Sequence, residues 1–191
     1  MLFSIFPDLQ RYTYIGFDRE EIRAIYGNNI KNHIDLSSKP VSYLQNWQPL
    51  TVQLEGNCDG ITGSLMPDVM EFSGRLFLSQ LACDVLKSII SSDGEFLPVR
   101  YEKGQGYIFN PLSLAEAVGG FNPQLTVLDE LRDIERISFH EACIKDYAVF
   151  RSEFDLHRSL FCNESVKNAI EAAGLGGVYF TTELGNRFAS V

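Results

Sequence analysis

No stretch of this 191-residue chain approaches the ~20 consecutive apolar residues that a membrane-spanning helix needs. The opening Met1–Asp8 does not read as a secretory signal: it has no basic residues ahead of its apolar run, and Pro7 and Asp8 interrupt that run. Cys-x-x-Cys pairs are absent. The four cysteines, Cys58, Cys83, Cys143 and Cys162, make no disulfide framework in a chain this long and are expected as free thiols in a reducing cytosol. No low-complexity tract and no Pro/Gly/Ser-rich linker divides the chain. Basic residues are scarce: 16 Lys+Arg stand against 25 Asp+Glu, a net charge of -9. Such a surface repels phosphate backbones, which argues against nucleic acid as a direct ligand. It attracts a basic partner, although solubility alone makes many proteins acidic.

What is present is ordinary for a folded chain. A hydrophobic fraction of 45% with 21% charged residues argues against disorder. A chain of this length buries roughly 70% of the surface it exposes when unfolded. The first sixty or so residues are the least regular. Tyr12, Tyr14 and Ile15 suggest a short strand, and Asp18 with Glu21 reads as a capping box. The helix it opens carries Ile22, Ile25 and Tyr26 on one face and stops at Gly27-Asn28-Asn29. Leu50–Leu54 alternates as a strand does, and Gly56–Gly63 is a turn-rich connection.

From Gly74 the pattern sharpens. Arg75–Leu78 reads as a strand and Ser79 as an N-cap, with Leu81, Val85, Leu86 and Ile89 on the helix's apolar face. Glu95–Tyr101 and Tyr107–Leu112 form a hairpin around Lys103–Gly106. Ser113 with Glu116 predicts a second capping box on a short helix that ends at Gly119-Gly120. Ile134–Phe139 and Ala148–Arg151 are expected strands. Ser159–Cys162 then reads as a strand, Asn163 as an N-cap, and Val166, Ala169, Ile170 and Ala173 as an apolar face. Gly174 is the expected C-cap and Val178–Phe180 the next strand. Leu160 and Phe161 stand 84 positions after Leu76 and Phe77, and at the same offset Asn163 aligns with Ser79 and Ile170 with Leu86. Strand–helix–strand units also align by chance, so duplication and coincidence both remain open. Either way, helices with one apolar face must pack on a sheet. The expected fold is α+β: a mixed sheet with helices packed on it, in one domain whose residues 1–66 are irregular and whose residues 67–191 form the core.

Candidate chemistry is thin. His140-Glu-Ala-Cys143 puts two metal-ligand types three residues apart, but no second pair has a suitable spacing and His33 and His157 are isolated. Cys162 beside a helix N-terminus, with His157 before it, is the one nucleophile-like arrangement. Its apolar strand context makes it a core residue. Gly104-x-Gly106 lacks the third glycine and the strand-to-helix context of a dinucleotide fingerprint. No catalytic residue, cofactor or metal is expected. The acidic run Asp129, Glu130, Asp133 and Glu135, interleaved with Arg132 and Arg136, is an ordinary solvated helix or turn surface or else an anionic face for a basic partner.

An ordered set of segments carries a resemblance: Pro67-Asp68, Leu76–Ser79, Gly94–Pro98, Tyr107–Asn110, an Asp near 129, Phe150-Arg151 and Gly177–Phe180. Together they resemble the immunity proteins of bacterial polymorphic toxin systems. The narrower likeness is to the branch numbered family eleven, first catalogued as a domain of unknown function. The resemblance covers about the C-terminal two-thirds of the chain and rests on core and turn positions, so it transfers no functional residues. It implies a cytosolic antidote that binds and blocks a toxin delivered by type VI or contact-dependent secretion. The partner it implies is a cognate toxin domain encoded by an adjacent gene. The acidic charge makes a basic domain the expected one and, with the lack of a long apolar run, leaves no nucleic acid and no membrane expected. A small enzyme with a cleft hidden from sequence and an adaptor of a secretion apparatus are the competing expectations.

Overall fold

The structure, a computed structural model, describes residues 1–28, 33–34, 36–55 and 62–186. Asn29, Cys58 and most of the Gly56–Gly63 connection lie outside those residues. The fold is α+β, with helices packed on mixed and antiparallel sheets.

Its centre is a strand–helix–strand unit built twice. In the first, β5 (Arg75–Ser79) leads into α2 (Gln80–Ile90) and then β6 (Gly94–Tyr101). Ser79 caps the helix, its hydroxyl accepting from the Ala82 N–H at 3.2 Å. β7 (Gly104–Pro111) pairs antiparallel with both strands and so lies between them. β5 and β6 are therefore parallel, and α2 is the crossover. The turn joining β6 to β7 is only Glu102-Lys103, tighter than the sequence suggests, because Tyr101 already pairs with Gly104. Gly106 has no room for a side chain: a Cβ there would sit 2.8 Å from the Leu78 carbonyl and against the Phe77 and Tyr101 rings.

The second unit runs β11 (Leu160–Asn163), α3 (Glu164–Ala172), β12 (Val178–Thr181). Asn163 caps its helix, accepting from the Ser165 and Val166 N–H groups. Here the strand between β11 and β12 comes from the other end of the chain: β1 (Leu2–Pro7) pairs antiparallel with both. Registers agree at the 84-residue offset. Leu76 and Phe96 both face Phe109, and Leu160 and Phe180 both face Ile5. Edge strands match as well. β4 (Val69–Phe72) sets Val69 against Leu78, and β10 (Val149–Phe150) sets Val149 against Cys162. The repeat is thus structural, down to which residues share a row, with β1 in the place that β7 takes in the first unit.

The units close each other's edges. The Asp93 carboxylate, in the turn after α2, accepts from the Ala148 and Val149 N–H groups at 2.8 and 3.0 Å. The Gly176 carbonyl, in the turn after α3, accepts from the Asp68 and Val69 N–H groups at 2.8 and 3.1 Å. Burial raises the Asp93 pKa, while those backbone donors and the Ser113 hydroxyl pull it back. The inner faces of both sheets and both helices share one core, including Leu76, Leu86, Phe109, Leu160, Val166 and Ile170. Cys83 and Cys162 are buried in it, and burial raises both thiol pKa values.

Each sheet has its outer face covered separately. β2 (Tyr14–Phe17), α1 (Arg19–Tyr26) and β3 (Leu50–Glu55) extend the first sheet to six strands and cover Met70, Phe77 and Leu97. Asp18 caps α1, but Glu21 does not complete the expected box. It turns to β3 and β6, accepting from Thr51 N at 2.6 Å and from Arg100 at 2.7 Å. The second sheet's Phe150 and Phe161 are covered by residues 115–144. Within that cover the Ser113/Glu116 box is not made either: Ser113 bonds Asp93, Glu116 bonds Ser152, and the helix is a single 3-10 turn at Glu116–Val118.

Two side-chain expectations are corrected. Leu81 is 57% exposed, because α2 turns Ala82, Cys83, Leu86 and Ile90 toward the sheet. The small Ala82 and Cys83 let the helix sit close to the strands. Ala173 is exposed at the end of α3, beyond the last buried position, Ile170.

One polar centre ties the units together. Arg75 and Arg151 are both fully buried, and both donate to the Asn110 side-chain oxygen, at 3.1 and 3.2 Å. Arg151 also donates to the Pro111 carbonyl. Across them lies the irregular segment Ser38–Tyr43. Its Ser38, Lys39 and Val41 carbonyls accept from Arg151, Arg75 and Asn110, and Ser42 and Tyr43 donate to Glu95. Burial and the neighbouring Arg75 lower Arg151 to about 9, which leaves it charged at neutral pH.

Leu86→Ala and Ile170→Ala, at equivalent buried positions, should each cost about 2–5 kcal/mol. Leu81→Ala should cost less than about 0.5 kcal/mol. Urea midpoints that rank Leu81 with the other two would refute this helix orientation. Arg151→Leu should cost roughly 3 kcal/mol or more, because it strips donors from buried acceptors in both units and the overlying segment. A loss under about 1 kcal/mol would show the centre to be dispensable.

Candidate partner-binding surface

The acidic run lies on neither a helix nor a simple turn. Residues 127–136 form a separate two-stranded hairpin, β8 (Val127–Leu128) against β9 (Ile134–Arg136). Its root is fixed from the core side. The Asn122 side chain accepts from the Gln124 and Leu125 N–H groups, and Ser138 bonds Thr126 and Leu125. Below this, Ile137 is fully buried and Phe121 stacks on Phe154 at 4.8 Å. A rigid base therefore carries an arm whose two strands pair only with each other among the described residues.

Asp129 sets the tip. Its carboxylate accepts from the Leu131 N–H at 2.9 Å and the Asp133 N–H at 2.8 Å, and its carbonyl accepts from Arg132 N. Arg132 takes a φ of 67° to close the loop. Asp129 is thus committed to its own backbone. Glu130, Asp133 and Glu135 are exposed, and no ion pair holds any of them among the described residues. The hairpin brings all four acids of the run onto one arm and interleaves them with exposed Arg132 and Arg136.

The arm is also apolar, which the charge pattern hides. Leu131 at the tip is 83% exposed, Leu125 59%, Leu128 38% and Val127 36%. An exposed leucine on a turn, with acids around it and three further aliphatic side chains behind it, has the composition of an anchor with a polar rim. The signal available in sequence was Val127-Leu128 before Asp129 with Leu131 after it: apolar residues flanking a turn-forming Asp.

The other candidate residues lie elsewhere. His140 and Cys143 are exposed in a turn, with Cys143 N bonded to the His140 carbonyl. His33 is buried and donates from Nε2 to the Gly27 carbonyl at 2.6 Å. His157 has its pKa lowered by burial and by Arg151. Among the described residues, no three His, Cys, Asp or Glu side chains gather as a metal would require. No helix among them is long and apolar enough to cross a membrane. In comparison with known proteins, no protein-family model matches the chain, and no curated protein matches it.

Asp129→Ala should loosen the tip by roughly 1 kcal/mol through loss of two backbone bonds, and Asp129→Asn should retain most of it. Amide exchange at Leu131 and Asp133 reads this directly. Equal exchange in wild type and Asp129→Ala would show that the side chain does not hold the turn.

Proposed function

We propose that this chain is an antidote, a cytosolic immunity protein that binds a cognate toxin domain encoded beside it and blocks that domain by protein–protein contact. The observation that carries the reading is the β8–β9 arm: an exposed leucine at its tip among acids, on a base whose Ile134 packs against the second sheet's aromatic cluster. A surface of net charge -9 speeds encounter with a basic partner, and Leu131 supplies the apolar contact that slows escape. Steering and anchoring are separate physical roles, and the arm holds a residue set for each.

The segments that carry the resemblance to immunity proteins lie on the repeated units. Leu76–Ser79, Gly94–Pro98 and Tyr107–Asn110 are strand positions of the first, and Phe150-Arg151 and Gly177–Phe180 belong to the second. They support a shared framework, while the arm between the units is where a partner-specific surface can vary at little cost to the core.

The test is association of the purified chain with the purified toxin domain from the adjacent gene. A one-to-one complex is expected. Raising salt from low to moderate should slow association about tenfold and leave dissociation nearly unchanged. Reversing Glu130, Asp133 and Glu135 to Lys together should slow association similarly without lowering thermal stability, since all three are exposed. Asp129 is left intact to preserve the turn. Leu131→Asp should instead speed dissociation by about tenfold or more. Absence of any complex would remove the antidote reading. A complex indifferent to all these changes would move the interface off the arm.

A further inference from the structure

The repeat allows one unit to be compared with the other, position by position. On the outer face of the first sheet, Arg75, Asn110 and Glu95 lie in one row across three strands. At the 84-residue offset, with β1 standing for β7, the equivalent positions in the second sheet are the paired Phe6 and Tyr179 and, just before β11, Ser159. The first row is occupied: Ser38–Tyr43 lies across it and bonds all three residues, as well as Arg151. The second row borders a groove of about 600 Å³, lined among others by Leu9, Glu71 and Arg158; Ser38, where the overlying segment starts, and Leu36 just before it stand at its wall.

The groove's chemistry differs from that of the filled row. Phe6 and Tyr179 contact each other with centroids 5.6 Å apart, and half-buried Leu9 stands beside them, while Ser38, Glu71, Ser73 and Ser159 make the rest of the lining polar. Arg158 is exposed at the edge. A second cavity of about 250 Å³ adjoins it, shares Arg158 and Ser159, and reaches Arg132 and Asp133 of the arm. The two cavities thus link the row to the candidate partner-binding hairpin.

Backbone strain collects along the same path. The non-glycine residues with positive φ among the described residues are Ser73, Arg132, Leu156 and His157, at 48°, 67°, 60° and 63°. Ser73 lines the larger cavity, and Arg132 and Leu156 line the smaller one. His157 directly precedes Arg158, and its carbonyl lies where a Cβ on Gly74 would be, 2.3 Å away. Non-glycine residues in this region are strained and persist only where the surrounding structure over-determines them.

We propose that the groove over Phe6 and Tyr179 docks an extended segment of the partner toxin, placed on the second unit as Ser38–Tyr43 is placed on the first. This rests on the antidote reading for the identity of the partner. The occupant is a polypeptide because its counterpart is one. It carries an aromatic or aliphatic side chain for the Phe6–Tyr179 surface and presents a main-chain carbonyl to Arg158. The groove and the arm then form one continuous interface, with Arg132 and Asp133 at the junction.

Two probes test this: short random peptides displayed on phage, selected against the whole chain, and the purified toxin domain. Enriched peptides should share an apolar anchor, and the toxin domain should displace them. Both probes should weaken about tenfold or more on Tyr179→Ala and on Arg158→Glu. Arg158 is exposed, so its variant keeps the fold even if Tyr179→Ala proves unstable. No enrichment, or peptides that bind both variants as well as wild type, overturns the groove. A toxin domain that binds wild type and both variants equally overturns the docking and leaves the antidote reading standing. A toxin domain that does not bind wild type at all removes the antidote reading and, with it, the assignment of the occupant.

Discussion

Two guanidinium groups meet on one side-chain oxygen at the centre of this fold, and much of the architecture follows from satisfying them. Arg75 comes from the first unit, Arg151 from the second, and Asn110 stands between them on β7. Buried charges are tolerable only when their donors find acceptors. Here the acceptors are partly main-chain carbonyls of Ser38, Lys39 and Pro111, so the chain must pass over this point. The irregular segment before Tyr43 is therefore held by the core, although it contributes no strand or helix. Burial first, and then repulsion from the neighbouring Arg75, lower Arg151, and the nearby Tyr43, Asp155 and Glu95 offset part of that.

The repeat explains why such a centre can exist. Two strand–helix–strand units share one apolar core between their inner faces, and each lends the other an acceptor for its edge strand, Asp93 in one direction and Gly176 in the other. That reciprocity brings Arg151 at the end of β10 to the row containing Arg75. The second unit is completed by β1, so the first and last described strands of the chain are neighbours in one sheet. Long-range pairing of this kind carries a larger loop-closure entropy than the local β6–β7 hairpin.

Local features of this fold were legible in sequence. Asp18, Ser79 and Asn163 announce helix starts because a side-chain acceptor before an apolar-periodic run has few other uses. The offset of 84 was visible in Leu76-Phe77 and Leu160-Phe161, though only the matching registers show that it governs rows as well as letters. Non-local features were hidden. Leu2–Pro7 is a short apolar run whose partners lie about 160 residues away, and no local pattern indicates that it fills the slot between β11 and β12. Leu81 fits the helical spacing of Val85 and Ile89, but α2 is rotated so that Ala82, Cys83, Leu86 and Ile90 face the sheet. The acids at 129–135 were legible as a surface. Their hairpin was not, because it depends on one Asp bonding its own backbone and on a root built by Asn122 and Ser138.

Function on this account is divided between the repeated geometry of two units and the surfaces attached to their outer faces. One outer row is filled by the chain's own Ser38–Tyr43, the other borders a groove that Leu36 and Ser38 also line, and that groove runs toward an arm whose tip is a leucine among acids. The central claim is that this side of the molecule is where a protein partner sits. Hydrogen exchange on the chain alone and bound to the toxin domain from the adjacent gene tests it most directly. The account predicts slowed exchange across residues 125–136 and along Phe6 and Tyr179, with little change on the outward face of α2 around Leu81. Protection confined to the helices, with the arm and groove exchanging as in the free chain, would contradict it.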